Sequence, residues 1–204
     1  MGLNNKLERA DYSAETFRLL RRWQRSWLHL WYTSTCRLSV RLMGVKLGKN
    51  VSFNGKIRIE RFKHSTIEIG DGVTFNSHEL FNQLSRGRNI LETMTDHAFI
   101  SIGKGSGFSS VRIKAEEGIS IGNHVTVGAN TVIMDTDSHP EITGKKATSI
   151  HIEDDVFIGM NCCILKGVTI GEGAIIGAGS IVTKDVPANS IAAGVPCRVI
   201  RMKF

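Results

Sequence analysis

The residue in this sequence best suited to chemistry is His139, in the segment Met134-Asp-Thr-Asp-Ser-His-Pro. Histidine accepts and returns protons near neutral pH, so it is the side chain most often used as a general base. The segment ends a regular run of residues and begins an irregular one. A side chain there is fixed at its base and open to a cleft. Asp137, two residues earlier, could orient the imidazole.

The cysteines do not suggest a metal site or a disulfide framework. Cys36, Cys162, Cys163 and Cys197 show no CxxC spacing, and the two adjacent ones would point to opposite faces of a strand. We therefore expect reduced thiols, a cytoplasmic protein and no bound metal.

A strict repeat of six residues precedes and follows His139. From residue 152 to residue 187 the sequence reads IEDDVF, IGMNCC, ILKGVT, IGEGAI, IGAGSI and VTKDVP. A period of six is a multiple of the strand period of two, so each short strand keeps one aliphatic side chain inward. Glycine, asparagine and aspartate at the fourth position suit a sharp turn with positive φ. These fourth-position residues are Asp155, Asn161, Gly167, Gly173, Gly179 and Asp185.

Three such units make one triangular coil, so the pattern predicts an all-β parallel β-helix. Successive coils should place Ile152 below Ile170, Ile158 below Ile176, and Ile164 below Val182. Residues 121–138 fit the same template, whereas residues 78–98 and 139–151 break it and are predicted to protrude as loops. The hand of the helix does not follow from this pattern, because parallel crossovers are usually right-handed.

The charge is concentrated at the N-terminus. The net charge is +7, but the ten basic residues between Glu15 and Glu60 face no acidic residue in that stretch. The rest of the chain is slightly acidic, so the overall charge does not indicate a nucleic-acid partner. No stretch approaches the roughly 20 apolar residues of a membrane span, and arginines interrupt the first apolar segment, so we expect no signal peptide.

An amphipathic helix is predicted over residues 17–31, capped by Asp11 or Ser13. One face would carry the apolar side chains and the other the basic ones. Two interpretations remain open: the apolar face covers the open end of the β-helix, or the helix lies on the inner face of a membrane. The apolar set is Phe17, Leu20, Trp27, Leu28 and Trp31, and the basic set is Arg18, Arg22, Arg25 and His29. The sequence therefore predicts three parts: a helical segment at residues 1–46, a β-helix at 47–190 and a C-terminal tail at 191–204.

The hexads, the segment Val182-Thr-Lys-Asp-Val-Pro and the ending Ala192-Ala-Gly-Val-Pro-Cys-Arg-Val-Ile resemble the hexapeptide-repeat acyltransferases. The resemblance covers roughly residues 47–204. It is strongest to the maltose and galactoside O-acetyltransferase group and its relatives that acetylate exopolysaccharide sugars. It implies a left-handed β-helix, a homotrimer, acetyl-CoA as the donor, and active sites between subunits.

The same resemblance assigns roles to residues. His139 would be the general base for direct transfer to a sugar hydroxyl during surface polysaccharide synthesis. Ser109 and Asp137 would lie on the acceptor side, with Ser109 where sugar acetyltransferases carry an asparagine. The donor positions are Gly159, Ala178, Thr183 and Lys184 along the pantetheine arm, and Arg198 and Arg201 near the nucleotide phosphates.

Other functions stay open at this point. An amino-sugar N-acetyltransferase, an antibiotic O-acetyltransferase and a non-catalytic binding scaffold all fit a β-helix. Zinc-binding relatives of the carbonic-anhydrase type need three histidines, and Met160-Asn161 stands where such a protein would be expected to offer His-Gly.

Overall fold

The computed structural model describes residues 2–139, 144 and 146–203, with side chains from residue 15 onward. One helix, α1 (Gly2–Leu42), precedes the strands. The first two coils consist of β1 (Lys46–Leu47), β2 (Ser52–Asn54), β3 (Ile57–Glu60), β4 (Thr66–Ile69), β5 (Thr74–Asn76) and β6 (Asn89–Thr93). The next two consist of β7 (Phe99–Ile102), β8 (Gly107–Ser109), β9 (Arg112–Ala115), β10 (Gly118–Ile121), β11 (Thr126–Val127) and β12 (Val132–Met134).

The last two full coils consist of β13 (Ile150–Ile152), β14 (Phe157–Ile158), β15 (Cys163–Ile164), β16 (Thr169–Ile170), β17 (Ile175–Ile176) and β18 (Ile181–Val182). Strands β19 (Ser190–Gly194) and β20 (Cys197–Met202) close the chain as an antiparallel pair.

Every third strand belongs to the same sheet, so three parallel sheets form the sides of a triangular prism. Sheet A contains β1, β4, β7, β10, β13 and β16. Sheet B contains β2, β5, β8, β11, β14, β17, β19 and β20. Sheet C contains β3, β6, β9, β12, β15 and β18. The predicted stacking is confirmed: Ile152 pairs with Ile170, Ile158 with Ile176, and Ile164 with Val182. This is the architecture of the left-handed β-helix that the sequence resemblance implied.

The corners have the backbone that the fourth hexad position requires. Asp155, Asn161, Gly167, Gly173 and Gly179 all have positive φ, between 54° and 75°. The prediction was wrong for the sixth hexad, because its fourth residue, Asp185, is not among the residues with positive φ. The repeat ends there, and Asp185 Oδ1 instead accepts a hydrogen bond from Thr169 N at 2.8 Å.

The core holds an aromatic stack that the hexad pattern did not predict. Phe53, Phe75 and Phe108 follow one another on the inner face of sheet B, with ring centroids 5.5 and 5.4 Å apart. All three are at most 1% exposed. Offset stacking adds to the burial of such rings. The coils above carry Val127, Ile158 and Ile176 at the same position.

The predicted loop at 78–98 is wrong in its second half. Residues 89–93 form β6, which pairs with β3 and β9 in sheet C. Leu91 points inward, and Asn89 is buried because its amide donates to Asn76 O at 3.0 Å and accepts from Val111 N at 2.9 Å. The strand did not match the hexad pattern because the inward residue Asn89 is polar. The segment that leaves the coil is therefore residues 77–88.

The second excursion leaves the coil after β12, which ends at Met134, and β13 begins at Ile150, so the predicted end at 151 falls inside that strand. Residues 140–143 and 145 lie outside the described residues, so the predicted His-Pro pair is described only at its histidine.

Helix α1 differs from the prediction in length and in orientation. It begins at Gly2, so Asp11 and Ser13 lie inside it and neither is the cap. It does cover the end of the β-helix, but not with the predicted apolar face. Thr33, Cys36 and Val40 pack on the first coil, whereas the predicted apolar set is exposed apart from half-buried Leu28. Within the described residues, no helix is long and apolar enough to cross a bilayer.

Candidate active site

Sheet C separates two edges of the prism, and the predicted site residues are divided between them. The B–C edge is the column of corners between sheets B and C, and it includes Ser109, Gly159 and Ala178. The C–A edge is the column between sheets C and A, from which the excursion carrying His139 departs and where Lys184 lies. Ser109 and His139 therefore stand on opposite sides of sheet C within one chain.

The excursion that carries His139 is anchored by Asp135, a residue that the sequence did not single out. Its carboxylate is fully buried and accepts hydrogen bonds from Glu116 N at 2.8 Å, Glu117 N at 2.9 Å and Gly118 N at 2.7 Å. Burial raises the pKa of Asp135, while the three N–H donors oppose that rise. Its carbonyl accepts from Thr148 N at 3.0 Å, so Asp135 joins both ends of the excursion to the coil below.

We expect Asp135→Ala to destabilise the fold strongly, because three buried backbone N–H groups would lose their acceptor. Each unsatisfied group costs about 1–3 kcal/mol, so the free energy of unfolding should fall by about 3 kcal/mol or more. The measurement is thermal unfolding followed by circular dichroism. Asp96→Ala, at an exposed turn, is the control, and equal melting temperatures for the two variants would contradict this role of Asp135.

His139 is exposed, and the residues just before it are held in place. Thr136 Oγ1 donates to Glu116 Oε2 at 2.5 Å and accepts from Ser138 N at 3.0 Å. Asp137 forms an ion pair with Lys166 from the next coil, Nζ to Oδ2 at 2.5 Å. The carboxylate of Asp137 thus has a cationic partner, and its predicted role toward His139 stays a prediction.

The B–C edge carries the other excursion, residues 77–88. Asn82 Nδ2 donates to Ser109 Oγ at 2.9 Å, and Ser109 is 8% exposed. Asn130 fastens the same segment, because its amide donates to Leu84 O at 3.1 Å and accepts from Arg86 N at 3.0 Å. Asn130 is the fourth residue of its hexad, and this was the only feature of the sequence that drew attention to it. Ser109 therefore lies at the foot of this excursion, with an asparagine amide beside it.

Two of the predicted donor residues meet on the B–C edge. Gly159 is buried and Ala178, one coil above, is exposed. A Cβ on Gly159 would lie only 2.5 Å from Ala178 N, so the coils approach closely here and glycine is required. The stacking of the coils thus explains the glycine, and the predicted role of Gly159 and Ala178 beside the pantetheine arm stays a prediction.

The other four predicted donor residues lie on the C–A edge and on strand β20. Thr183 and Lys184 follow β18 on the C–A edge, and both are exposed. Arg198 and Arg201 are exposed on β20, where they pair with Ala193 and Ile191 of β19. Within one chain, the width of sheet C separates Thr183 and Lys184 from Gly159 and Ala178. Arg198 and Arg201 instead belong to sheet B, and Arg198 pairs with Ala193 near the B–C edge.

Among the described residues, no group of three histidine, cysteine, aspartate or glutamate side chains is placed to bind a metal ion. The four thiols are free, and burial raises the pKa of Cys36, Cys162, Cys163 and Cys197. Raised thiol pKa values disfavour the thiolate, so these cysteines are poor nucleophiles.

The repeats match those of known transferases. Residues 149–184 match the family described as bacterial transferase hexapeptide (six repeats), and residues 100–134 match the hexapeptide repeat of succinyl-transferase. The resemblance to hexapeptide-repeat acyltransferases is thereby confirmed.

Among curated proteins, the 2,3,4,5-tetrahydropyridine-2,6-dicarboxylate N-acetyltransferase of Staphylococcus aureus (strain Newman) is 49% identical over 80 residues. That match covers 39% of this chain and 31% of the relative, so the chain spans about a third of the relative's length. Its similarity therefore concerns the repeats.

Two solved structures share most of the architecture. The polysialic acid O-acetyltransferase OatWY superposes with a TM-score of 0.63 and 25% identity, covering 78% of this chain and 74% of that one. Galactoside acetyltransferase in complex with coenzyme A has a TM-score of 0.52 and 24% identity, covering 90% and 81%. At this identity, the likeness to galactoside acetyltransferase concerns the fold alone.

Proposed function

We propose that this protein is an acetyl-CoA-dependent O-acetyltransferase that modifies a sugar hydroxyl in surface polysaccharide synthesis, with His139 as the general base. The observation that carries the proposal is the position of His139. It is an exposed imidazole on an excursion that Asp135 fixes to the edge of a transferase-type β-helix. The polysialic acid O-acetyltransferase among its structural neighbours supports a sugar hydroxyl as the acceptor.

The chemistry requires few groups. His139 removes the proton of the acceptor hydroxyl as its oxygen attacks the thioester carbonyl of acetyl-CoA. The resulting oxyanion is stabilised by N–H or hydroxyl donors. The intermediate then collapses, the carbon–sulfur bond breaks, and the proton held by His139 passes to the departing thiolate of coenzyme A. The acetyl group moves directly from sulfur to oxygen, with no covalent enzyme intermediate.

A second copy of the chain is part of this proposal, because the two halves of the site lie on opposite edges of sheet C. A homotrimer with sheet C toward its axis would bring the C–A edge of one protomer to the B–C edge of the next. The outer face of sheet C suits such contact, since Val132, Met134, Cys163 and Ile181 are apolar and only half-buried in the single chain.

The B–C edge also indicates what the acceptor looks like. Arg86, Arg112 and Asn161 line a groove of about 250 Å³ at the foot of the excursion. The two guanidinium groups favour an acceptor with carboxylate or phosphate groups. Asn82, whose amide donates to Ser109 Oγ, would supply an asparagine side chain next to the position where the sequence has Ser109.

An N-acetyltransferase is the second candidate, favoured by the identity to the Staphylococcus aureus enzyme, which acetylates nitrogen. The test is release of free coenzyme A with paired acceptors, sialic acid against neutral hexoses and each sugar against its 2-amino counterpart. Transfer to hydroxyls supports the first function, and transfer only to amines supports the second. A binding scaffold would show no transfer to any acceptor.

We expect the double substitution Lys184→Gln and Arg201→Gln to raise the KM for acetyl-CoA about tenfold at low salt, because two positive charges near an anionic donor would be lost. The effect should shrink as ionic strength rises, since salt screens exposed charges. Steady-state KM measured across ionic strength checks this result. Lys46→Gln with Lys104→Gln is the matched control, because Lys46 on β1 and Lys104 in the turn after β7 are exposed lysines away from sheet C. An unchanged KM of the Lys184 and Arg201 variant in low salt would remove both residues from the donor site.

A further inference from the structure

A continuous apolar stripe runs along the outer side of α1. Its side chains recur at intervals of three, four or seven residues, which places them on one face of a helix. Each is between 54% and 79% exposed. The stripe consists of Leu20, Trp23, Trp27, Trp31, Leu38 and Leu42.

The opposite face of α1 is the one that the β-helix uses. Thr33 Oγ1 donates to Phe53 O at 3.3 Å and accepts from Phe53 N at 3.1 Å. His29 Nδ1 lies 2.7 Å from Asn54 Oδ1, and Val40 is 1% exposed. Thr33 thus satisfies backbone groups at the free edge of β2, the first strand of sheet B, and the three contacts together fix the rotation of the helix.

The two faces point in nearly opposite directions. Residues two positions apart on an α-helix point about 200° apart. Trp31 is two residues from both His29 and Thr33, so it points away from the coil. The end of the β-helix is therefore already covered, and the stripe is left without a partner within the described chain.

The positive charge of α1 indicates what kind of surface the apolar stripe contacts. Between residues 16 and 42 the helix carries six arginines and no acidic residue. Arg18, Arg21, Arg22 and Arg25 line a groove of about 840 Å³ between α1 and the excursion at 77–88. A tryptophan-rich face backed by arginines is the pattern of helices that lie in the interface of anionic bilayers.

We propose that the stripe of α1 inserts into the interfacial region of an anionic lipid bilayer and holds the protein there as a peripheral membrane protein. The tryptophan rings and leucines enter the boundary between headgroups and acyl chains, and the positive charge of the opposite, arginine-rich face draws the helix to the anionic surface. In the proposed trimer the three parallel β-helices would place three such helices at one end. Binding by one then raises the effective concentration of the others.

Flotation with lipid vesicles tests this proposal on the intact protein. We expect the protein to float with vesicles of equimolar phosphatidylcholine and phosphatidylglycerol, and far less with pure phosphatidylcholine. Trp27→Gln should weaken partitioning about tenfold, because it removes a large apolar side chain from the buried face. Phe62→Gln removes an exposed aromatic side chain of a corner outside the stripe and should leave partitioning unchanged.

Tryptophan fluorescence gives a second readout, because Trp23, Trp27 and Trp31 are the three tryptophans of the sequence. Their emission should shift to shorter wavelength on addition of the anionic vesicles and be quenched by brominated lipid.

Two outcomes would overturn the proposal. One is that neither flotation nor a fluorescence shift occurs with anionic vesicles. The other is that the protein forms higher oligomers in lipid-free buffer, Trp27→Gln dissociates them, and vesicles bind neither form. The stripe would then be an interface between copies of this chain. Acetyl transfer to a soluble acceptor is measured separately, so failure of membrane binding leaves the proposed function untouched.

Discussion

Replacing His139 by alanine is expected to lower kcat for acetyl transfer by about 10² to 10⁴, the usual contribution of a general base. The substitution leaves the proposed donor residues unchanged, so the dissociation constant of coenzyme A should change little. Because the side chain is exposed, the fold should tolerate its loss. The measurement is steady-state kinetics together with calorimetric titration of coenzyme A.

His97→Ala is the matched control, because His97 is also exposed and lies on the same C–A edge, in the turn before β7 two coils below the excursion that carries His139. It should keep the activity of the unmodified protein. If His139→Ala turns over acetyl-CoA as fast as His97→Ala does, the proposed mechanism is wrong.

Mixing two inactive variants is expected to restore activity, because the proposed site takes its halves from two protomers. His139→Ala removes the base from the C–A edge. Ala178→Phe places a bulky ring on the B–C edge, where the donor arm is proposed to lie and where the natural side chain is exposed. In trimers refolded from an equal mixture, about a quarter of the interfaces would unite an intact His139 with an intact Ala178.

The recovered specific activity should therefore reach about a quarter of the unmodified level, against almost none for either variant alone. A second mixture makes the test sharper. Unmodified protein mixed with the double variant should retain about a quarter of the activity if sites lie between protomers, and about half if each site lies within one chain. No recovery in the first mixture and half in the second would contradict the shared site.

The stack of coils could be predicted from the sequence because its cause is local. Each hexad brings its own inward aliphatic residue and its own turn residue, so the pairing of Ile158 with Ile176 follows from counting. The position of His139 at the end of β12 follows from the same count. Strand β6 was missed because its inward Asn89 is polar, and only neighbouring coils supply the hydrogen bonds that allow its burial.

The contacts that fix the two excursions depend on residues distant in sequence. The bond from Asn82 to Ser109 spans 27 residues, and the three N–H groups that Asp135 accepts lie 17 to 19 residues away. The coil length of 18 residues places Asp135 above residues 116–118, but the repeat does not predict that its carboxylate turns inward to accept their N–H groups. The repeat contains no information about the bond from Asn82, because that residue belongs to an excursion outside the hexads.

The sequence by itself determined the repeat, the three-sided coil and the presence of an amphipathic helix at the N-terminus. The tertiary structure alone decided which face of that helix meets the protein. Hydrophobic periodicity says that an apolar face exists, but not what covers it. The free edge of β2 requires hydrogen-bonding partners, and Thr33 supplies them to Phe53 while Cys36 and Val40 fill the space beside it. The need to satisfy a strand edge thus turned the tryptophans outward.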